Sequence, residues 1–265
     1  MKFEFCSLAS GSKGNSQYIA TNSMGILVDA GMSGKYIENA LKKIDRNFDK
    51  IVALLVTHEH SDHISGIGVL MRRYDLPLYV NEKTWDAMKN KIGKINIEKV
   101  NIIENDVCFN IGKIKINSYP ISHDANDPIG FIFEYNNKRI SLATDLGYVS
   151  DQIIEKISNV DLLFLESNHD VEMLKAGSYP YYLKRRVLSM EGHLSNDEAG
   201  RVAKEVIRFG RVKHILLAHL SRENNFPELA FETVKTILQE GNIEVGKDID
   251  LHMTYRDDIS KLFSL

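Results

Sequence analysis

The residues His58-Glu59-His60-Ser61-Asp62-His63 form the pattern H-x-H-x-D-H. Three imidazoles and the Asp62 carboxylate so close together cannot all be satisfied by ordinary core packing, because each buried polar atom needs its own partner. They can instead converge on cations, since imidazole nitrogen and carboxylate oxygen suit Zn²⁺, Mn²⁺ or iron. Ions held this way support hydrolysis: they acidify water and neutralise charge on the group under attack. The pattern therefore points to a metal-assisted hydrolase.

Such a cluster needs elements to hold it. Four apolar segments each run into an ionisable residue: Ile51–Thr57 into His58, Arg139–Thr144 into Asp145, Asp161–Leu165 into Glu166, and His214–Ala218 into His219. Ionisable groups at strand C-termini collect along one sheet edge, where open α/β architectures place their sites. Ile51–Thr57 is almost wholly apolar, the pattern of a strand buried on both faces.

The remaining elements alternate between short apolar runs and longer amphipathic ones. Phe3–Leu8, Gln17–Ala20, Ile26–Asp29 and Leu78–Val80 read as strands, and Gly34–Lys43 and Ser65–Tyr74 as helices. The middle is β-rich, with strands at Val107–Ile111, Lys113–Tyr119, Gly130–Tyr135 and Arg139–Ala143. Asn136-Asn137 between the last two is a hairpin signal. Ser195–Phe209 opens with Ser195-Asn196-Asp197-Glu198, a capping-box pattern, and Glu228–Glu240 is a last long helix. Two sheets covered outside by helices would bury both kinds of segment, so the expected fold class is α/β, an αββα four-layer sandwich. No repeat, low-complexity tract or linker divides the chain, and a single domain over residues 1–265 is expected.

The composition, 43% hydrophobic and 26% charged, is that of an ordinary globular protein. With a net charge of −3, no global basic field draws the chain to nucleic acid, and any polyanion must be held by a local patch or by metal ions. Cys6 and Cys108 both lie in apolar stretches and read as buried free thiols. Scarce cysteine, an acidic residue in the Met1-Lys2-Phe3-Glu4-Phe5 start and the lack of a membrane-length apolar run give the cytoplasm as the expected location, without a membrane partner.

H-x-H-x-D-H after an apolar strand resembles the signature of metallo-β-lactamase-fold hydrolases. The downstream ligands of that family are present in order as His123, Asp145 and His219. The resemblance spans nearly the whole chain. It implies two divalent ions, Zn or Mn with Fe possible, one held by His58, His60 and His123 and the other by Asp62, His63 and His219, with Asp145 bridging. Asp62 would also orient the attacking water. Flavo-diiron proteins usually carry Glu at the place of His60, and true β-lactamases lack the second His, here His63. Both departures turn the resemblance away from redox chemistry and from lactams.

The second half points to nucleic acid. Phe164-Leu165-Glu166-Ser167-Asn168 and Gly192-His193-Leu194-Ser195-Asn196 resemble paired motifs of the tRNA-processing endonuclease branch, in which a strand-end Glu orients a His that protonates the leaving oxygen. Carried over, Glu166 positions His193, and Ser195 starts the helix behind it. Together with Ser10-Gly11-Ser12-Lys13-Gly14-Asn15, His123-Asp124-Ala125 and Glu166-Ser167-Asn168-His169-Asp170, these motifs look like the WalJ/YycJ/VicX branch, bacterial proteins regarded as DNA exonucleases acting from 5′ ends. The large insert of RNA-processing relatives and the long tRNA-gripping arm are both missing from the sequence. The implied partner is nucleic acid, DNA ahead of RNA.

Substrate contacts are expected from Ser12 and Asn15 in a loop able to present amides to phosphate, and from Arg185 and Arg186 in a basic run. Asn168, His169 and Ser195 join them as neighbours of the Glu166 and His193 motifs. The alternatives are a hydrolase of a small phosphodiester or thioester, and a non-catalytic regulatory scaffold. The scaffold predicts decayed ligands, and every expected ligand is present.

Overall fold

In the computed structural model, residues 2–256 and 258–265 are described. They fall into two compact units: Met1–Pro120 with Ala125–Ile129 and Tyr255–Leu265, and Ile121–Asp124 with Gly130–Thr254.

The first unit opens on β1 (Phe3–Ala9), β2 (Ser16–Thr21) and β3 (Gly25–Val28), joined antiparallel through tight loops. α1 (Gly34–Lys43) then crosses to β4 (Ile51–Leu55), which pairs parallel with β3. α2 (Ser61–Ile64) and α3 (Ile67–Tyr74) lead to β5 (Leu78–Asn81), and α4 (Glu82–Met88) leads to β6 (Val100–Ile103), both strands again parallel to their neighbours. A hairpin of β7 (Phe109–Ile111) and β8 (Ile114–Pro120) follows. Ile37 and Leu41 of α1 and Ile67 and Leu70 of α3 share one buried cluster with Leu27, Leu54 and Leu78 of the strands. Their i, i+3 and i+4 spacing lays both helices along one face of the sheet.

In the second unit β9 (Ile129–Tyr135) and β10 (Lys138–Ala143) form an antiparallel hairpin. Asn136 and Asn137 take φ of 49° and 61°, as a two-residue primed turn requires. α5 (Asp151–Ser158) precedes β11 (Leu162–Glu166); α6 (Val171–Ala176), α7 (Tyr181–Val187) and α8 (Asn196–Phe209) precede β12 (His214–Ala218); α9 (Pro227–Glu240) precedes β13 (Asp250–Met253). Strands β10 to β13 are parallel in register, and within this unit the order runs β13-β12-β11-β10-β9. Ser195 caps α8, its hydroxyl accepting the Glu198 N–H at 3.2 Å. β14 (Phe263–Ser264) returns to pair with β1, completing the order β14-β1-β2-β3-β4-β5-β6 in the first unit.

Four expectations are corrected. The helix read over Ser65–Tyr74 starts only at Ile67, after a turn in which Gly66 donates its N–H to the Ala30 carbonyl at 2.6 Å. Val52 of β4 is 39% exposed, so that strand is not buried on both faces throughout. The strand read from Val107 begins only at Phe109, after a turn in which Asp106 has φ of 60°. Cys108, which precedes that short strand, is exposed, whereas Cys6 is buried and its thiol is pushed up to about 11 by desolvation.

Candidate functional site

In the first unit the H-x-H-x-D-H run leaves the C-terminal end of β4 and turns into α2. His58 Nδ1 lies 3.0 Å from Thr57 Oγ1, and that hydroxyl donates to Asp29 Oδ2 at 2.8 Å. Asp29 also accepts the Thr57 N–H at 2.9 Å and the Nδ1–H of His63 at 2.8 Å. One carboxylate at the end of β3 therefore fixes His63 directly and His58 through a hydroxyl. His58 Nε2 comes within 3.1 Å of His60 Nδ1. Two nitrogens each ~2.1 Å from one tetrahedral ion would stand roughly that far apart. The Asn15 amide Nδ2 sits 3.0 Å from His63 Nε2 and 3.4 Å from Asp62 Oδ2.

In the second unit Asp145 and His219 lie just past the ends of β10 and β12, and Glu166 is the last residue of β11, the parallel strand between them. With His193 they offer four ligand atoms within 4.8 Å of one another. Glu166 is fully buried. Its Oε1 lies 2.8 Å from His193 Nδ1 and 3.0 Å from His219 Nδ1, and its Oε2 accepts the N–H groups of Leu146 at 2.9 Å and Leu194 at 3.2 Å. Burial alone would raise this carboxyl, but the neighbouring His193 charge and the hydrogen bonds from His193 and His219 hold it well below the usual carboxylate range. His219 Nε2 is 3.3 Å from Asp145 Oδ1. His123 donates Nδ1–H to the Gly192 carbonyl at 3.2 Å, and burial holds its imidazole below the ordinary range despite the raising field of Asp145.

The backbone is specialised at these strand ends. Asp29, Asp145 and His219 have φ of 58°, 59° and 57°, left-handed values that few residue types adopt. Such conformations gather at functional sites, where the surrounding structure over-determines them.

Both groups fit divalent ions. His58, His63, His123 and His219 each engage a protein oxygen through one ring nitrogen, which leaves the lone pair on the other. Neutral imidazoles oriented in that manner are the usual form of histidine ligands.

Several sequence-predicted contacts are already engaged by the protein. The Asn15 N–H is bonded to the Asp62 carbonyl at 2.8 Å, Gly11 N–H to Asn15 Oδ1 at 2.9 Å, and Gly14 N–H to the Gly11 carbonyl at 3.0 Å. The loop amides thus fold the loop and hold the Asp62 turn, and Ser12 is exposed beside them. Asn168 donates its amide to the His219 carbonyl at 2.8 Å. Arg186 pairs with Asp124 at 2.9 Å, and Arg185 lies over the Tyr181 ring at 5.9 Å. His169 is buried, and neither of its ring nitrogens has a hydrogen-bond partner among the described residues. Asp29 and Thr57 were missed. Asp29 closes a strand just as the expected ligands do, and that was the available signal.

A family model described as the beta-lactamase superfamily domain matches residues 25–220. The chain belongs to that superfamily. It is 46% identical over 254 residues to Exodeoxyribonuclease YycJ of Bacillus anthracis, covering 96% of each chain. To Exodeoxyribonuclease WalJ of Streptococcus pneumoniae it is 45% identical over 264 residues, covering 98% of this chain and 97% of that one. Among solved structures, the metallo-beta-lactamase fold protein YhfI of Bacillus subtilis matches at a TM-score of 0.73 over 100% of both chains, at 17% identity. The whole-chain likeness shows the metallo-β-lactamase fold, the class expected from the sequence, and the fold implies divalent metal ions. No helix among the described residues is long and apolar enough to cross a membrane.

Proposed function

We propose that this chain is an exodeoxyribonuclease that hydrolyses DNA phosphodiesters from 5′ ends, acting in the cytoplasm. The reading is supported by whole-length similarity to two proteins named as exodeoxyribonucleases. The single observation that carries it is the Glu166–His193 pair at 2.8 Å, a buried carboxylate orienting an imidazole next to a cluster of ligand atoms.

Two divalent cations, Zn²⁺ or Mn²⁺ with iron as a further choice, would be held by His58, His60 and His123 and by Asp62, His63 and His219, with Asp145 serving both. When bound, such ions acidify water and neutralise the charge that grows on the phosphoryl oxygens. Glu166 holds His193 with Nδ1–H toward the carboxylate, so the second proton of the imidazolium is on Nε2. That proton passes to the 3′ oxygen as its bond to phosphorus breaks, while the buried carboxylate holds the ring in place. Water supplies the new P–O bond, and the products carry a 5′-phosphate and a 3′-hydroxyl. Asp29 holds the proton on Nδ1 of His63, and a cation bound at Nε2 would displace the Asn15 amide that sits 3.0 Å from it.

The test uses protein purified without added metal, assayed for metal content, then loaded with Mn²⁺ or Zn²⁺ and given end-labelled single- and double-stranded DNA and RNA. Mononucleotides released from the 5′ ends of DNA, and none from Asp62→Asn, are the expected result. Equal activity from Asp62→Asn, or hydrolysis confined to a small phosphodiester or thioester, would overturn the reading.

A further inference from the structure

We propose that α7 and the turn after it form a stacking platform for single-stranded DNA beside His193; this deepens the exonuclease reading and rests on it. The motivating observation is a pair of aromatic rings that packing within the chain does not explain. Tyr181 and Tyr182 are 75% and 74% exposed on a helix of seven residues. Tyrosine ordinarily buries its ring and leaves only the hydroxyl wet, so two adjacent exposed rings offer unused π surface.

The surroundings select the partner. Tyr181, Arg185 and Leu188 recur at i, i+4 and i+7 and so share one face, with the Arg185 guanidinium 5.9 Å from the Tyr181 ring. Leu188 and Met190, 45% and 64% exposed, extend the apolar surface past the helix end. Lys184 bonds only a carbonyl, that of Lys175 at 2.7 Å, and neither Lys184 nor Arg185 forms an ion pair among the described residues. Their charges therefore remain for phosphates. Flat rings interleaved with cations are the chemistry that takes single-stranded nucleic acid, because every base has a face to stack and every linkage a charge to neutralise. A duplex hides those faces.

The platform is fixed to the candidate site. Tyr182 begins the neighbouring row, whose next member Arg186 bonds Asp124, and Asp124 Oδ1 lies 3.5 Å from His123 Nε2. At the helix end the Val187 carbonyl accepts the His193 N–H at 3.1 Å. A Cβ on Gly192 would stand 2.3 Å from the carbonyl oxygens of both Arg186 and Val187, so only glycine permits this approach. A strand stacked on α7 is thus held at a set distance from the proton donor.

The experiment measures binding of metal-loaded full-length protein to a labelled phosphorothioate-linked oligodeoxynucleotide by fluorescence anisotropy. Tyr181→Ala and Tyr182→Ala should each weaken single-strand binding roughly tenfold, while the Tyr→Phe versions retain it. Arg185→Ala should flatten the slope of log K against log salt by about 0.7. Phe209→Ala is the control, since Phe209 is also exposed, at 69%, with Arg208 at 5.5 Å, but lies at the far end of α8; it should change nothing. The platform is overturned if the alanine variants bind single strands like the wild type, or if they alter self-association without altering DNA affinity. Release of mononucleotides from an unmodified 5′-labelled oligodeoxynucleotide by the wild type reports separately on the proposed function. Activity with tyrosine-independent binding sinks the platform alone, whereas tyrosine-dependent binding without any hydrolysis keeps the platform and sinks the exonuclease reading.

Discussion

Glu166 Oε1 stands 2.8 Å from Nδ1 of His193, and the carboxylate that makes this contact has no exposure to solvent. Two backbone amides and a second imidazole also bond it, so its orientation is fixed before any substrate arrives.

If His193 is the proton donor, His193→Gln should lower kcat by about 10²–10⁴ and leave metal content unchanged. Metal analysis beside single-turnover kinetics checks this. Loss of bound metal would make His193 a ligand instead. Glu166→Gln should lower kcat and also loosen metal, because the same oxygen holds His219.

Asp29 bonds His63 and reaches His58 through the Thr57 hydroxyl without belonging to the proposed ligand set. Asp29→Ala should weaken metal affinity by about 10–100-fold, read by competition with a calibrated chelator. Thr57→Ala should act in the same direction, mainly through His58, whose Nδ1 is 3.0 Å from the hydroxyl against 3.4 Å for that of His63. Wild-type affinity in both variants would show that the hydrogen bonds to His63 and His58 contribute nothing to binding.

His169 gives stability a pH dependence. Burial pushes its imidazole down to about 4, with Glu166 opposing and His193 adding to the shift. The unfolded chain takes up this proton near pH 6.5, while the folded chain does not until about 4. The unfolded state therefore binds more protons in that window, and folding stability declines as pH falls through it, by on the order of 3 kcal/mol. Urea unfolding of metal-free protein at pH 7 and pH 5 should show a smaller decline in His169→Asn than in the wild type. Identical declines would remove His169 from the account.

Gly31 sits under the turn that carries Asp62. A Cβ there would lie 1.7 Å from the Asp62 carbonyl oxygen and 2.8 Å from the Asn15 nitrogen. Gly31→Ala must displace α2, and a loss of about 3 kcal/mol in unfolding free energy is expected together with reduced metal stoichiometry. Denaturant titration and metal analysis test both parts; a variant as stable as the wild type would mean the turn is more plastic than its packing implies.

The elements that carry the site were legible because their signals are local. The apolar run into His58, the strand-end positions of Asp145, Glu166 and His219, and the Ser195 cap all depend on residues close in sequence. Asp29 and Thr57 were hidden because they meet across neighbouring strands, 28 residues apart. The engagement of Asn15 with Asp62 spans 47 residues and was equally invisible. Cys108 shows the complementary failure: an apolar neighbourhood in sequence became an exposed turn, because β7 is only three residues long.

The left-handed backbone at Asp29, Asp145 and His219 has a consequence for how these strand ends can be altered. Aspartate, asparagine and histidine tolerate that conformation better than other chiral residues, and glycine adopts it freely. These positions thus screen residue type by shape before chemistry is consulted. At Asp145 or His219, asparagine or glycine would empty a proposed ligand position while the chain keeps its course, whereas valine would add a backbone penalty of about 1–2 kcal/mol. Evolutionary drift would follow the same slope, and a descendant that had shed its metals through such exchanges could still fold.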